Sequence, residues 1–384
     1  DEPCEHQSRL LIRTAANAYF PQVLRALSLP DQRTGVQEAV SSVWALLMAV
    51  EDAADLATFR KLPQVASRLA GYGDDEVLAA IKELKQGAVT ERPLKTVELE
   101  ALLAAETGFG DDVPIDQNFH ARRLPDSVWR LSDLSAGIAA VVQLHRLREV
   151  LALLGFTRFE SITPDIDGEY ETDVVRADLA LEPKWFPAVE NRGEGIFLQL
   201  DPGAVAAWLG RDAVRQRLEA LVAGHARWAA DRNSGRAFPG GPYVLLHTLA
   251  HLLMQSLAMR CGYPATSIRE RVYSNPDAKQ FGLLLYTASP DAEGTLGGLV
   301  QQARHIEAHL AVALRAGGLC SNDPVCAQHS PGEGMEGRWL HGASCHGCSL
   351  VAETSCEMRN DYLDRALVVP TLATPGAAFF PPVG

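Results

Sequence analysis

The residue types with most chemical reach are the cysteines of the C-terminal fifth: Cys320, Cys326, Cys345, Cys348 and Cys356. They read CSNDPVC (320–326), eighteen intervening residues, CHGC (345–348), seven residues, then Cys356. A Cys-x2-Cys step lets two thiolates reach one tetrahedral ion from a tight turn, and a distant second pair closes the site and clips the loop between them. Thiolates are soft ligands and a four-sulfur site is tetrahedral, so zinc suits the segment, as a structural ion with no open position for water. Five thiols compete for four positions. The spacing favours Cys345, Cys348 and Cys356, joined by Cys326 or Cys320. His329, His341 and His346 lie close enough to substitute. An iron–sulfur cluster fits the spacing poorly, and loop cysteines without metal are the plainer alternative.

A second chemical pattern is His247-Thr-Leu-Ala-His251. Two His at i and i+4 share a helical face, as in zinc metalloproteases. Those enzymes place a Glu directly after the first His as general base; here Thr248 stands there. No later His or Glu has an obvious third-ligand spacing, and the flanks YVLL and LLMQSLAM are apolar, so core histidines are the simpler reading. A third pattern is LLLYTASPDAEGTLGGLV (283–300), an apolar run feeding a glycine-bearing loop. It lacks the Gly-Lys-[Ser/Thr] ending of a phosphate-binding loop. Glu293 is its one acidic side chain able to act, and with His247 and His251 it makes up the alternative reading, a metal-dependent hydrolase or nuclease. No Gly-x-Ser-x-Gly elbow is present. Arg122-Arg123 and Arg269-Glu270-Arg271 could touch phosphates, but read more simply as surface salt-bridge positions.

The chain has 384 residues, 47% hydrophobic and 22% charged, a globular composition that excludes disordered and collagen-like classes. At roughly 100–200 residues per domain, two or three domains are expected. With 35 basic against 48 acidic residues the net charge is −13, so the chain as a whole does not attract a polyanion, and any DNA contact needs a local basic patch or a basic partner. An odd set of seven cysteines, two of them (Cys4 and Cys261) alone, does not resemble a secreted disulfide framework. Residues 1–20 do not read as a signal peptide, and the start at Asp1, without an initiator Met, reads as a fragment.

Apolar spacing predicts helices over 36–62, 74–86 and 96–107, with Asp74 and Thr96 as N-caps. It predicts a loop over 108–126 and a long helix over 133–156. Strands are expected at 174–181 and 195–201, flanking a turn, then helices over 204–230 and 242–260. The stretch 240–259 contains no Asp, Glu, Lys or Arg; its two His, Gln, Ser and Thr make it a buried core helix rather than a membrane span. A buried strand is expected over 281–289 and a helix late in 291–318. The fold class is α+β: a largely helical N-terminal block, then a mixed strand/helix domain with a zinc-bound C-terminal segment. The boundaries are 1–132 for the helical region, 133–240 for a helix-plus-strand region, 241–370 for the zinc-binding domain and 371–384 for a mobile tail. The chain reads as cytoplasmic, with no membrane partner.

The runs LLHTLAHLLM, CGYPATSIRERVYS, GLLLYTASPDAEGTLGGLV, CSNDPVC, CHGCSLVAETSCE and LDRAL resemble the DrmB family, helicase-associated proteins of the bacterial DISARM anti-phage system. NAYFPQVLRALSLP (17–30), RLREVLALLGFTR (146–158) and AVENRGEGIFLQLD (188–201) extend the resemblance over most of the chain. From residue 240 onward it also resembles the cysteine-bearing C-terminal domain of MrfA-type helicases. The resemblance implies a non-motor subunit that pairs with a separate DrmA-like superfamily-two helicase and engages DNA, mainly single-stranded, through the complex. By position, the MrfA-type Cys-x2-Cys…Cys…Asn run falls on Cys345, Cys348, Cys356 and Asn360, with the first cysteine pair spaced differently.

Overall fold

The computed structural model describes residues 19–29, 35–85, 93–110, 118–158, 177–180, 185–287, 298–331 and 338–383. The chain divides into two compact units, 30–92 and the remainder. The smaller unit is helical: α1 (Gly35–Ser42), α2 (Trp44–Leu47), α3 (Ala53–Phe59), α4 (Pro63–Arg68) and α5 (Asp74–Lys85). They enclose a core of Val40, Leu47, Val50, Leu56, Val65, Leu69, Val77 and Ile81. The single helical stretch read over 36–62 is thus several short helices. Asp52 caps α3 by accepting from the Ala54 and Asp55 N–H groups, a local bond that stops α2 and α3 from fusing.

The larger unit is built on one antiparallel sheet. Its strands are β1 (Tyr19–Leu27), β2 (Phe119–Arg123), β3 (Ile138–Arg158), β4 (Ala177–Asp178), β5 (Ala188–Leu200), β6 (Ile268–Asn275) and β7 (Gln280–Thr287). The order is β1-β3-β5-β7-β6, with β2 and β4 also paired to β3. The helices of this unit are α6 (Leu94–Leu103), α7 (Asp126–Trp129), α8 (Pro202–Leu209), α9 (Asp212–Arg232), α10 (Gly241–Cys261), α11 (Gly298–Gln302), α12 (Ile306–Gly317) and α13 (Val325–Gln328). Both helix and sheet are present, as the α+β class requires.

The sheet is covered on both faces, and residue alternation shows it. Leu283 and Leu285 of β7, with Ile196 and Leu198 of β5, join α10 in the main core. Leu284, Tyr286 and Phe197 point the other way, into a second core with Leu99 and Leu102 of α6. One-residue alternation between faces is the strand signature. α10 runs through the main core buried on nearly all sides, as its sequence, uncharged up to Arg260 in the last turn, requires. Gly262, at φ 70°, ends it in the left-handed conformation that glycine adopts without strain. Among the described residues no helix is long and apolar enough to cross a membrane.

Four expectations need correction. The helix read over 133–156 is the 21-residue strand β3. Its apolar residues serve both faces, Val141 in one core and Val142, Leu144 and Leu147 in the other. A run buried on both sides carries no period that separates strand from helix, and its Leu, Ala, Arg and Glu content favours helix locally. Second, the loop read over 108–126 contains β2, and Pro21 lies inside β1. β1 is an edge strand, where a missing N–H costs no ladder bond. Third, the turn read before residue 195 is already β5 from Ala188. Fourth, the tail read as mobile is packed. Ala377, Ala378 and Phe380 are buried, the Trp208 indole N–H donates to the Ala377 carbonyl at 2.8 Å, and the Phe379 N–H donates to the Leu367 carbonyl at 2.8 Å.

Candidate metal centres

Two clusters of metal-ligating side chains lie in the larger unit. In the first, the sulfurs of Cys320, Cys326, Cys345 and Cys348 all lie within 4.8 Å of one another. The sequence separates them into two turns. Cys320 follows α12, and Cys326 sits in the one-turn helix α13. Cys345 and Cys348 bracket a tight turn in which the Cys348 and Ser349 N–H groups both donate to the Cys345 carbonyl at 3.1 Å. Gly347 packs closely there: a Cβ would come within 2.9 Å of the Ser321 hydroxyl.

The sulfur separations are 3.4 Å for Cys320–Cys345, 3.8 Å for Cys326–Cys348 and 3.8 Å for Cys345–Cys348. All are far beyond a disulfide bond. They approach the edge of a tetrahedron with zinc–sulfur bonds of about 2.3 Å, which is about 3.8 Å. The two turns present N–H groups in the same way. Asn322 donates to the Cys320 sulfur at 3.4 Å and Gly347 to the Cys345 sulfur at 3.3 Å, each from two residues on. A third N–H, that of Cys345, donates to the Cys348 sulfur at 3.3 Å. Such donors favour the thiolate. As free thiols Cys326 and Cys348 share a proton unequally: hydrogen bonding from Cys326 pushes the Cys348 thiol down, and the same bond pushes Cys326 up. Cys326 and Cys348 are buried while Cys320 and Cys345 are half-exposed, so one side of the cluster faces solvent.

The second cluster is His247, His251, Glu270 and Cys356, all buried, again with ligand atoms within 4.8 Å of one another. Three elements supply it: α10 gives both His from one face, β6 gives Glu270, and the segment after the 3-10 turn Glu353–Ser355 gives Cys356. His247 Nε2 lies 2.9 Å from Glu270 Oε1 and 3.1 Å from the Cys356 sulfur. His251 Nε2 lies 3.4 Å from the same carboxylate oxygen. The two rings stand edge-on with centroids 4.6 Å apart. Burial pushes the Glu270 carboxyl up, but the two imidazoles outweigh it and hold it below the usual carboxylate range. Burial, and then Glu270, push the Cys356 thiol well up.

Cys356 therefore does not join Cys345 and Cys348, against the favoured set: the chain between them turns inward and seats it against α10. Its neighbour Glu357 fixes that path, pairing with Lys95 of α6 at 2.7 Å and with Arg271 of β6 at 3.3 Å. Asn360, matched to the same MrfA-type run, donates its backbone N–H to the Cys356 sulfur at 3.2 Å. Thr248, where a metalloprotease would carry Glu, bonds backbone instead: its hydroxyl donates to the Val244 carbonyl at 2.7 Å and accepts the Asp364 N–H at 2.9 Å. The Arg269–Arg271 stretch is not a surface feature. Arg271 is buried in a pair with Glu98 at 2.5 Å, and Arg269 pairs with buried Glu149 at 2.5 Å. His329, His341 and His346 join neither cluster. Glu293 and Cys4 lie outside the described residues. Glu270 has no sequence spacing that signals it; only the pairing of β6 beneath α10 brings it to the His pair.

The family model of the MrfA Zn-binding domain matches residues 249–349. That span holds all four cysteines of the first cluster and stops short of Cys356. The domain and the four-sulfur cluster fit zinc binding. Over 383 aligned residues the chain is 32% identical to the DISARM protein DrmB of Bacillus paralicheniformis, with 96% of this chain aligned. The chain spans 66% of the length of that relative.

Proposed function

Because this chain belongs to the family of the DISARM protein DrmB, we propose that it is a non-motor subunit of an antiviral defence complex. It pairs with a DrmA-like superfamily-two helicase and helps that motor engage the DNA of invading phage, single-stranded DNA above all. The observation that carries this reading is identity spread over 96% of the chain rather than confined to the zinc domain. The net charge of −13 agrees with a subunit that meets DNA as part of a complex, beside a basic partner surface, rather than alone. Residues 241–370 are the helicase-associated part. In it Cys320, Cys326, Cys345 and Cys348 hold one structural zinc, which fixes the two turns that would otherwise be unsupported loops.

The hydrolase alternative loses ground to burial. A catalytic zinc keeps one position open to water, whereas His247, His251 and Glu270 are each 0% exposed.

The test is co-expression with a DrmA-like superfamily-two helicase. The expected result is a complex that survives size-exclusion chromatography and binds single-stranded DNA more tightly than the helicase alone. A chain that neither co-elutes with the helicase nor changes its DNA affinity overturns the reading.

A further inference from the structure

We propose that His247, His251, Glu270 and Cys356 bind a second zinc ion, wholly enclosed between α10, β6 and the C-terminal segment. His251 Nδ1 lies 2.7 Å from the Ser349 carbonyl oxygen, and His247 Nδ1 lies 3.3 Å from the Tyr362 carbonyl oxygen. A carbonyl only accepts, so each Nδ1 carries the proton. A neutral imidazole with its proton on Nδ1 presents a lone pair at Nε2. Both Nε2 atoms point inward, at a carboxylate and a sulfur.

The Nε2 lone pairs therefore face the Glu270 carboxylate acceptor against acceptor, and the Cys356 thiol, a weak donor, has one proton to share among them. Glu270 Oε1 already accepts the Glu357 N–H at 3.3 Å, and the Cys356 sulfur already accepts the Asn360 N–H at 3.2 Å. Glu270 Oε2 is buried with no hydrogen-bond partner at all. Protons alone satisfy this arrangement poorly. Charging both imidazoles against one carboxylate leaves a net positive charge in a site sealed from water, and such charge is expensive to bury. A divalent cation resolves every contact at once. Two neutral His, one carboxylate and one thiolate balance its two charges, so the enclosed site becomes neutral.

The donor set points to zinc. Two imidazoles, one thiolate and one carboxylate make a tetrahedral shell suited to a borderline-soft ion and unsuited to magnesium or calcium. Metal-bound His commonly gives its other N–H to a backbone carbonyl, as both do here. The four ligands are at most 3% exposed, so the site is closed and structural. It ties a core helix to a sheet strand and to the chain end, and it stands or falls independently of the helicase reading.

The experiment is elemental analysis and zinc-edge X-ray absorption on the purified, untagged chain. The expected result is two zinc ions per chain, with five sulfur and three nitrogen or oxygen ligands shared between them. Cys356→Ser and Glu270→Gln should each lower the content to one, leaving a sulfur-only shell. One zinc per wild-type chain in a sulfur-only shell overturns the proposal, and a second ion other than zinc overturns its identity. Both readings come from the wild type, so they hold even where a variant does not fold.

Discussion

The two clusters are close in the chain and opposite in chemistry. Four thiolates around zinc carry a net charge of about −2, and they sit where Cys320 and Cys345 reach solvent. Backbone N–H donors ring the sulfurs, and Cys326 helps to hold the nearby guanidinium groups of Arg365 and Arg217 charged. The inner cluster has none of that access to water. Its one carboxylate and one thiolate match a divalent ion. The difference is the one that desolvation imposes: a charged donor set is tolerated at a surface, whereas an enclosed one must be neutral as a whole. The clusters also differ in what they join. The outer one closes local turns between residues 320 and 348, while the inner one joins His247 to Cys356 across 109 residues.

That contrast predicts unequal damage. Glu270→Ala removes one of the two negative charges that balance the ion, in a site that cannot admit water. Breaking a buried charge set costs about 3–5 kcal/mol, and here it should appear as a cooperative fall in the melting temperature of the larger unit. Cys345→Ser with Cys348→Ser should free only the segment around 319–349, seen as new cleavage sites in limited proteolysis while the sheet core keeps its melt. Equal global destabilisation by the two changes would break the comparison.

A smaller effect separates the clusters by their supports. Arg365 is fully buried. It donates to the Gly317 carbonyl at 3.0 Å and pairs with Asp323, which accepts the Ala327 N–H at 3.0 Å. This holds the CSNDPVC turn in place without touching the sulfurs. Arg365→Met should weaken zinc at the outer cluster about 10–100-fold, the usual cost of losing a supporting partner, and leave the inner ion in place. Competition with a chromogenic chelator measures both, and parallel loss from the two sites would contradict the separation.

The outer cluster was largely legible in the sequence, because Cys-x2-Cys and a second pair are local patterns. The choice among five thiols was not: Cys356 and Cys345 differ only in which way the chain turns between them, and that is set by Glu357 with Lys95 and Arg271, partners at long range. The inner cluster was half legible. His247 and His251 announced a shared helix face, but Glu270 sits in Arg-Glu-Arg, a string that reads as exposed charge. Burial of that string depends on β6 closing the sheet. The same long-range cause hid β3: its two-sided burial erased the period of 2, and local propensity pointed to helix.

The last effect concerns acid. His309 of α12 is buried, with Nδ1 3.0 Å from the Ser256 hydroxyl of α10 and Nε2 3.0 Å from the Gln302 side chain. Burial, aided by Arg260 and His305, pushes its pKa down to about 4. The unfolded chain takes up that proton near pH 6.5, while the folded chain refuses it until about pH 4. The His309 contribution to stability is therefore complete above pH 6.5 and declines as pH falls toward 4, by at most about 1.4 kcal/mol per pH unit. Acid also protonates metal ligands, so the wild-type slope contains both processes. His309→Gln removes the first and leaves the second. Denaturant midpoints between pH 7 and pH 4, read with a zinc indicator present, should show a shallower slope in the variant and unchanged zinc release. A slope that stays the same would mean that the metal clusters alone set the acid limit of the fold.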